Sequence, residues 1–167
     1  SSATATITAK AITVTGTTAT YKTYDAALGA TIVTTSSVLT GGASTASDNK
    51  YYTGDTVTLV KTGASGAYAT KDIGTNKAVT VTGFTLGGAD GGNYTVSDAS
   101  SATATITAKA ITVTGTTATG KTYDAALGAT IVTTSSVLTG GASTASDNKY
   151  YTGDTVTLVD RKSTRLN

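Results

Sequence analysis

Hydroxyl-bearing and aliphatic residues alternate along several stretches of this chain. Thr4, Thr6 and Thr8 interleave with Ala5, Ile7 and Ala9, and Thr13 and Thr15 with Ile12 and Val14. The same rhythm returns where Thr56 and Thr58 flank Val57 and Leu59, and where Thr80 and Thr82 flank Val79 and Val81. A period of two puts one residue class on each face of an extended chain, so these runs predict half-buried antiparallel strands. Further strands are predicted over 30–34, 66–70, 83–86 and 93–97. Gly, Asp and Asn clusters separate them, notably Gly41-Gly42, Asp48-Asn49, Gly54-Asp55 and the stretch 87–93. Short strands with regular turn signals predict an all-β protein made of small antiparallel sheet modules, β-sandwich or β-grasp-like. The expected core is Ile12, Val14, Tyr24, Leu28, Ile32, Val57, Leu59, Tyr68, Ile73, Val79, Val81, Phe84, Leu86, Tyr94, Val96 and Ile106.

The pattern also repeats on a larger scale. Residues 1–60 recur at 100–159 with one difference, Tyr21 against Gly120. A 99-residue offset (100 less 1) is too long for a solenoid turn and suits a small autonomous domain, so the chain reads as tandem modules. Residues 1–9 are expected to be the closing strand of a preceding module and 10–108 a complete one. Residues 109–159 are expected to be an incomplete second copy, lacking counterparts of 61–99 and so of Tyr68, Phe84 and Tyr94. The tail 160–167 breaks the repeat and resembles the translation of a common sequencing adapter.

Composition reinforces the strand reading. Threonine supplies 42 of 167 residues, and outside the tail there is no Cys, His, Met, Trp, Pro, Glu, Gln or Arg. Good helix formers are scarce, whereas Thr, Val, Ile and Tyr favour strands. The net charge of +2 resides in the tail, because the rest holds nine Lys and nine Asp. That balance offers no electrostatic footprint for nucleic acid. No apolar run approaches the roughly 18 residues of a membrane span, and direct membrane insertion is not expected.

The blocks at 12–26, 54–59, 69–74, 79–83 and 88–95, with the closing 103–109, resemble the YDG-type repeat domains. In this chain the Tyr24-Asp25 and Tyr123-Asp124 pairs are followed by Ala26 and Ala125, where the family has Gly. A polar insert at 34–53 is a second departure. The resemblance implies a repetitive stalk in a large bacterial surface protein of the filamentous-haemagglutinin-like adhesin class. It implies an extracellular, cell-surface location and neighbouring repeats of the same chain as partners. It brings no catalytic residues, and no cofactor is expected.

Candidate chemistry is sparse. Gly115 to Thr122 matches the phosphate-loop pattern, but such a loop needs a helix after it, and 123–129 shows no helical pattern. The first copy also has Tyr21 where the motif requires Gly. Asp48, Asp55, Asp90 and Asn93 lie in Gly-rich turns and are weak calcium candidates. Calcium needs six to eight oxygens, roughly, and isolated Asp beside Gly is ordinarily a turn former. Lys71 or Lys77 with Asn93 and Asp90 supplies the residue types of an intramolecular amide cross-link, against the ordinary role of exposed lysine. Tyr51 and Tyr52, beside the 34–53 insert, are the candidate contacts for a glycan or protein ligand. The expected function is therefore a non-enzymatic spacer repeat, with a glycan- or protein-binding module as the alternative.

Overall fold

The computed structural model describes residues 2–98 and 102–159, so the adapter-like tail lies outside the described residues. They form two compact units, one of 2–22 with 27–107 and one of 23–26 with 108–159. The protein is all-β, in several small sheets. A single 3-10 turn at Gly91–Asn93 is the one helical element among the described residues.

The first unit is built from twelve strands: β1 (Lys10–Thr15), β2 (Thr18–Ala19), β3 (Lys22–Thr23), β4 (Gly29–Ala30), β5 (Ile32–Val33), β6 (Val38–Leu39), β7 (Thr58–Val60), β8 (Ser65–Tyr68), β9 (Gly74–Thr82), β10 (Thr85–Gly87), β11 (Tyr94–Asp98) and β12 (Thr103–Thr107). One sheet has the order β11-β1-β6 and a larger one β3-β12-β9-β8-β4, while β7–β10 and β2–β5 form two-stranded ribbons. Most pairs are antiparallel, as the alternation predicts. Strands β1 and β11 instead run parallel, from Lys10 opposite Tyr94 to Val14 opposite Asp98. Parallel neighbours need a long crossover, and here some eighty residues of intervening chain supply it.

Both larger sheets feed the core. Ile12, Val14 and Tyr94 are buried from the first, and Tyr68, Val79, Val81, Ala104 and Ile106 from the second, with Phe84 and Ala102 beside them. Each fully buried Ile or Val contributes about 1.5–3 kcal/mol. Thr17 and Ser37 are buried too, and their hydroxyls bond each other at 2.8 Å, which removes the cost of desolvating either one.

Several expected core positions lie elsewhere. Ile32, Val57, Leu59, Leu86 and Val96 are half-buried, and Leu28 is 49 % exposed. Tyr24 belongs to the second unit, where its hydroxyl donates to both carboxylate oxygens of Asp154 at 2.8 and 2.9 Å. Ile73 is 59 % exposed, and a bulge explains it. Between Ala104 and Ile106 the β9 partner steps from Lys77 to Gly74, so β9 carries one extra residue. Asn76, at φ +50°, takes up the kink. The bulge shifts the two-residue phase, and Ile73 falls outside the inward set that holds Val79 and Val81. Residues 2–9, expected as a strand, are exposed and unpaired in sheet, although 102–107, which repeat the sequence of 3–8, contain β12. Strand β9 supplies the partner of β12.

The second unit keeps only part of the pattern. It has β13 (Val113–Thr114), β14 (Thr117–Thr119), β15 (Thr130–Val132) and β16 (Val137–Leu138). Val113 pairs with Leu138 and Ala118 with Ile131, the registers of Val14 with Leu39 and Ala19 with Ile32. None of residues 108–159 is buried. Ile111 and Val113 are 37 % and 40 % exposed, against 1 % and 0 % for Ile12 and Val14.

At the turn after the Tyr-Asp pair, Ala26 has φ +61° and Ala125 φ +57°. This is left-handed backbone, where a Cβ costs about 1–2 kcal/mol and glycine is at ease. Ala26→Gly is expected to stabilise the protein by about 0.5–1 kcal/mol in denaturant unfolding. Ile12→Ala is expected to cost about 2–5 kcal/mol, whereas Ile111→Ala, the same change in the same local sequence, should cost less than about 1 kcal/mol. Equal losses would show that burial does not separate the two copies.

Candidate functional site

The residues with the richest chemistry gather where the start of β1 meets β11 and the polar insert. The insert is ordered around Asp48. Its carboxylate accepts from the backbone amides of Ser44 at 2.6 Å, Thr45 at 3.2 Å and Lys50 at 3.2 Å, and from Lys10 Nζ at 2.8 Å. Lys10 also donates to the Lys50 carbonyl at 2.7 Å, and its ammonium lies 5.4 Å from the centre of the Tyr52 ring. The Lys10 ammonium, followed by the three amides, holds the Asp48 carboxyl far below the usual carboxylate range. Asn49, at φ +60°, turns the chain back so that its carbonyl accepts from the Thr13 amide at 3.2 Å.

On the other side, the Tyr94 hydroxyl donates to Asp55 Oδ2 at 2.5 Å and accepts from the Tyr52 amide at 3.0 Å. Burial, and then the bond to Asp55, raise the Tyr94 phenol above its ordinary value. Between these two clusters lies an open groove of about 410 Å³, lined by Ile7, Lys10, Tyr52, Asp55, Asn93 and Tyr94 among others. Tyr52 presents 41 % of its surface.

Of the residues singled out from sequence, Tyr52, Asp55 and Asn93 meet in this groove, and Asp48 braces its edge through Lys10. Tyr51 does not join them. It bridges Gly41 through the backbone and covers it so closely that a Cβ on Gly41 would lie 2.7 Å from the ring. Asp90 is also elsewhere: it accepts from the Thr56 amide at 2.8 Å while its own amide donates to the Thr56 carbonyl at 3.1 Å, closing the loop before β11. Among the described residues no three Asp converge on a metal-sized space. Lys77 donates to Thr70 Oγ1 at 2.9 Å. The sequence reading missed Lys10 and Tyr94 as partners of these carboxylates. No local signal marks these partners, since Lys10 stands 38 residues from Asp48 and Tyr94 stands 39 from Asp55; the structure repeats the first pairing as Lys109 with Asp147, at 2.8 Å in each copy.

The phosphate-loop match is built differently from a phosphate loop. Residues Thr117–Thr119 inside it form β14, and among the described residues no helix follows. Gly115, at φ +78°, is there because a Cβ would lie 2.1 Å from the Ser135 carbonyl oxygen. Lys121 Nζ donates to Asp124 and to the Ala126 carbonyl, each at 2.7 Å.

The YDG domain pattern matches residues 8–104. The chain belongs to the YDG domain family. The match begins just before β1 and ends inside β12, so it spans β1 to β11 in full. No curated protein and no solved structure matches the chain. In this YDG domain the Lys10–Asp48 ion pair at the groove has side chains 9 % and 18 % exposed.

Because folding depresses the Asp48 carboxyl, its contribution is complete above the ordinary value of 3.8 and declines as pH falls below it. Replacing Asp48 and Asp147 with Asn is therefore expected to lower the melting temperature near neutral pH and to flatten its decline in acid. Thermal melts at a series of pH values check this, and parallel acid limbs would contradict it.

Proposed function

We propose that this YDG domain is a non-enzymatic spacer repeat in the stalk of a large secreted or cell-surface adhesin of the filamentous-haemagglutinin-like class. The observation that carries the reading is where the ends of the domain enter the sheets. Tension along an array pulls on the first strand and the last. Here β1 lies between β11 and β6, and β12 lies between β3 and β9. Neither terminal strand is an edge strand, so withdrawing either one completely breaks pairing on two sides. The parallel β1–β11 pair adds to this, because it anchors the start of the domain to a segment far along the chain.

The polar side chains support the same reading. Lys22 Nζ donates to the carbonyls of Ala27 and Gly29, and Lys61 Nζ to that of Thr34. Such groups act as braces, and near-identical repeats multiply a shape more readily than a unique active site. Neighbouring repeats of the same array are the proposed partners, at an extracellular site.

A second reading is favoured by the groove beside Tyr52, whose exposed ring and neighbouring Asn93 are of a kind that contacts glycans or protein loops. Stretching the whole chain by its ends in a single-molecule experiment discriminates between the two. The spacer reading expects one force peak releasing roughly 360 Å of chain, about 3.5 Å for each residue of the first unit. It also expects no retention on a glycan array. Extension without a force peak, together with glycan retention lost on Tyr52→Ala, would favour the binding module.

A further inference from the structure

The strand pairings of the first unit close on themselves. The larger sheet runs from β3 through β12, β9 and β8 to β4. Its two ends meet again through the chain: β2 and β3 are successive pieces of residues 18–23, β4 and β5 are successive pieces of residues 29–33, and β2 pairs with β5. A Cβ on Gly66 of β8 would lie 2.5 Å from Ile32 Cγ2 and 3.1 Å from Val79 Cγ1, so β5 and β9 send side chains to one interior across that glycine.

The ring is interrupted between β3 and β4. Strands β2 and β5 pair Thr18 with Val33 and Ala19 with Ile32, and the Thr20 amide donates to the Thr31 carbonyl at 2.9 Å. Continued in that register the ladder would set Lys22 opposite Gly29, but there the main chain turns to β12 instead. Across the gap, the Tyr68 amide donates to the Leu28 carbonyl at 2.8 Å and Ala30 lies opposite Gly66. Antiparallel alternation therefore points the carbonyls of Ala27, Gly29 and Thr31 away from β8 and into the gap. Thr20 takes the last of these. Lys22 Nζ takes the other two, Ala27 at 2.7 Å and Gly29 at 2.9 Å, and lies 5.3 Å from the centre of the buried Tyr68 ring. A side chain completes the ladder that its own backbone has left.

From this we propose that residues 18–23 form a strap that opens and shuts along 27–33 separately from the β1–β11 core, and that the Lys22 ammonium is its latch. Hydrogen bonds from a charged donor are stronger than neutral ones, which suits two of them to stand in for missing ladder bonds. Opening the strap breaks the β2–β5 pairing, uncovers Ile32 and Tyr68, and leaves β3 a loose two-residue edge on β12. The last strand of the domain is enclosed on both sides only while the latch is shut.

Amide hydrogen exchange of the full chain, read residue by residue by NMR, tests this. The Thr20 amide reports on the strap, and the Thr13 amide, which donates to the Asn49 carbonyl, reports on the β1 core. In the unsubstituted chain, low urea concentrations are expected to leave the Thr20 rate almost unchanged, the mark of a local opening, while Thr13 exchange rises with urea. Lys22→Met, which removes the donor, is expected to speed Thr20 exchange at least about tenfold and to keep Thr13 within about twofold. Lys22→Arg, which keeps the charge and donors, should stay within about threefold of the native Thr20 rate. Equal urea dependence at the two amides would overturn the proposal, even if Lys22→Met failed to fold. An unchanged Thr20 rate in Lys22→Met, equal acceleration of both amides, or Lys22→Arg exchanging as fast as Lys22→Met would overturn it too.

Discussion

The parallel pairing of β1 with β11 is the constraint on which the rest of the domain depends. It joins residues far apart in sequence, so its formation carries the loop-closure entropy of nearly the whole module. Once made, it buries Ile12 and Val14 and sets Tyr94 beside Asp55 and the Tyr52 amide. The groove, its tyrosine and its aspartates are consequences of that one ladder. Where the ladder is missing, in residues 108–159, nothing is buried, although the local hairpins persist.

The near-identical copies separate local from non-local causes within one molecule. Registers such as Val14 with Leu39 reappear as Val113 with Leu138, because a short antiparallel connection and its turn residues suffice for them. The turn at Gly16 and its twin at Gly115 are equally local: each brings a serine carbonyl so near that no Cβ fits. Ile106 and Ile7 sit in the same octapeptide, yet one is 1 % exposed and the other 98 %. Alternation of Thr with aliphatic residues makes a segment competent for a sheet. A neighbouring strand makes it one.

The candidate site was legible only in pieces. Tyr52, Asp55 and Asn93 were visible as exposed polar or aromatic residues near turns, and the structure brings them together. Their partners were less visible, because Lys10 stands 38 residues from Asp48 and Tyr94 stands 39 from Asp55. Tyr51 and Tyr52 look equivalent in sequence, but a two-residue period sends adjacent side chains to opposite faces, and Gly41 is the surface that receives Tyr51. The phosphate-loop match was equally open to misreading, since Gly115 and Lys121 serve a turn and a brace.

From its sequence alone the chain was determined to be all-β and to repeat itself, because alternation, composition and turn residues are local properties; its place among YDG domains rests on the pattern matched over residues 8–104. The bulge that turned Ile73 outward, the parallel partner of β1 and the transfer of Tyr24 to Asp154 were decided by tertiary structure. Each depends on which distant strand or side chain comes to lie alongside. Pairing of that kind is a choice among competing partners of nearly equal local fitness, and only the packed fold makes it.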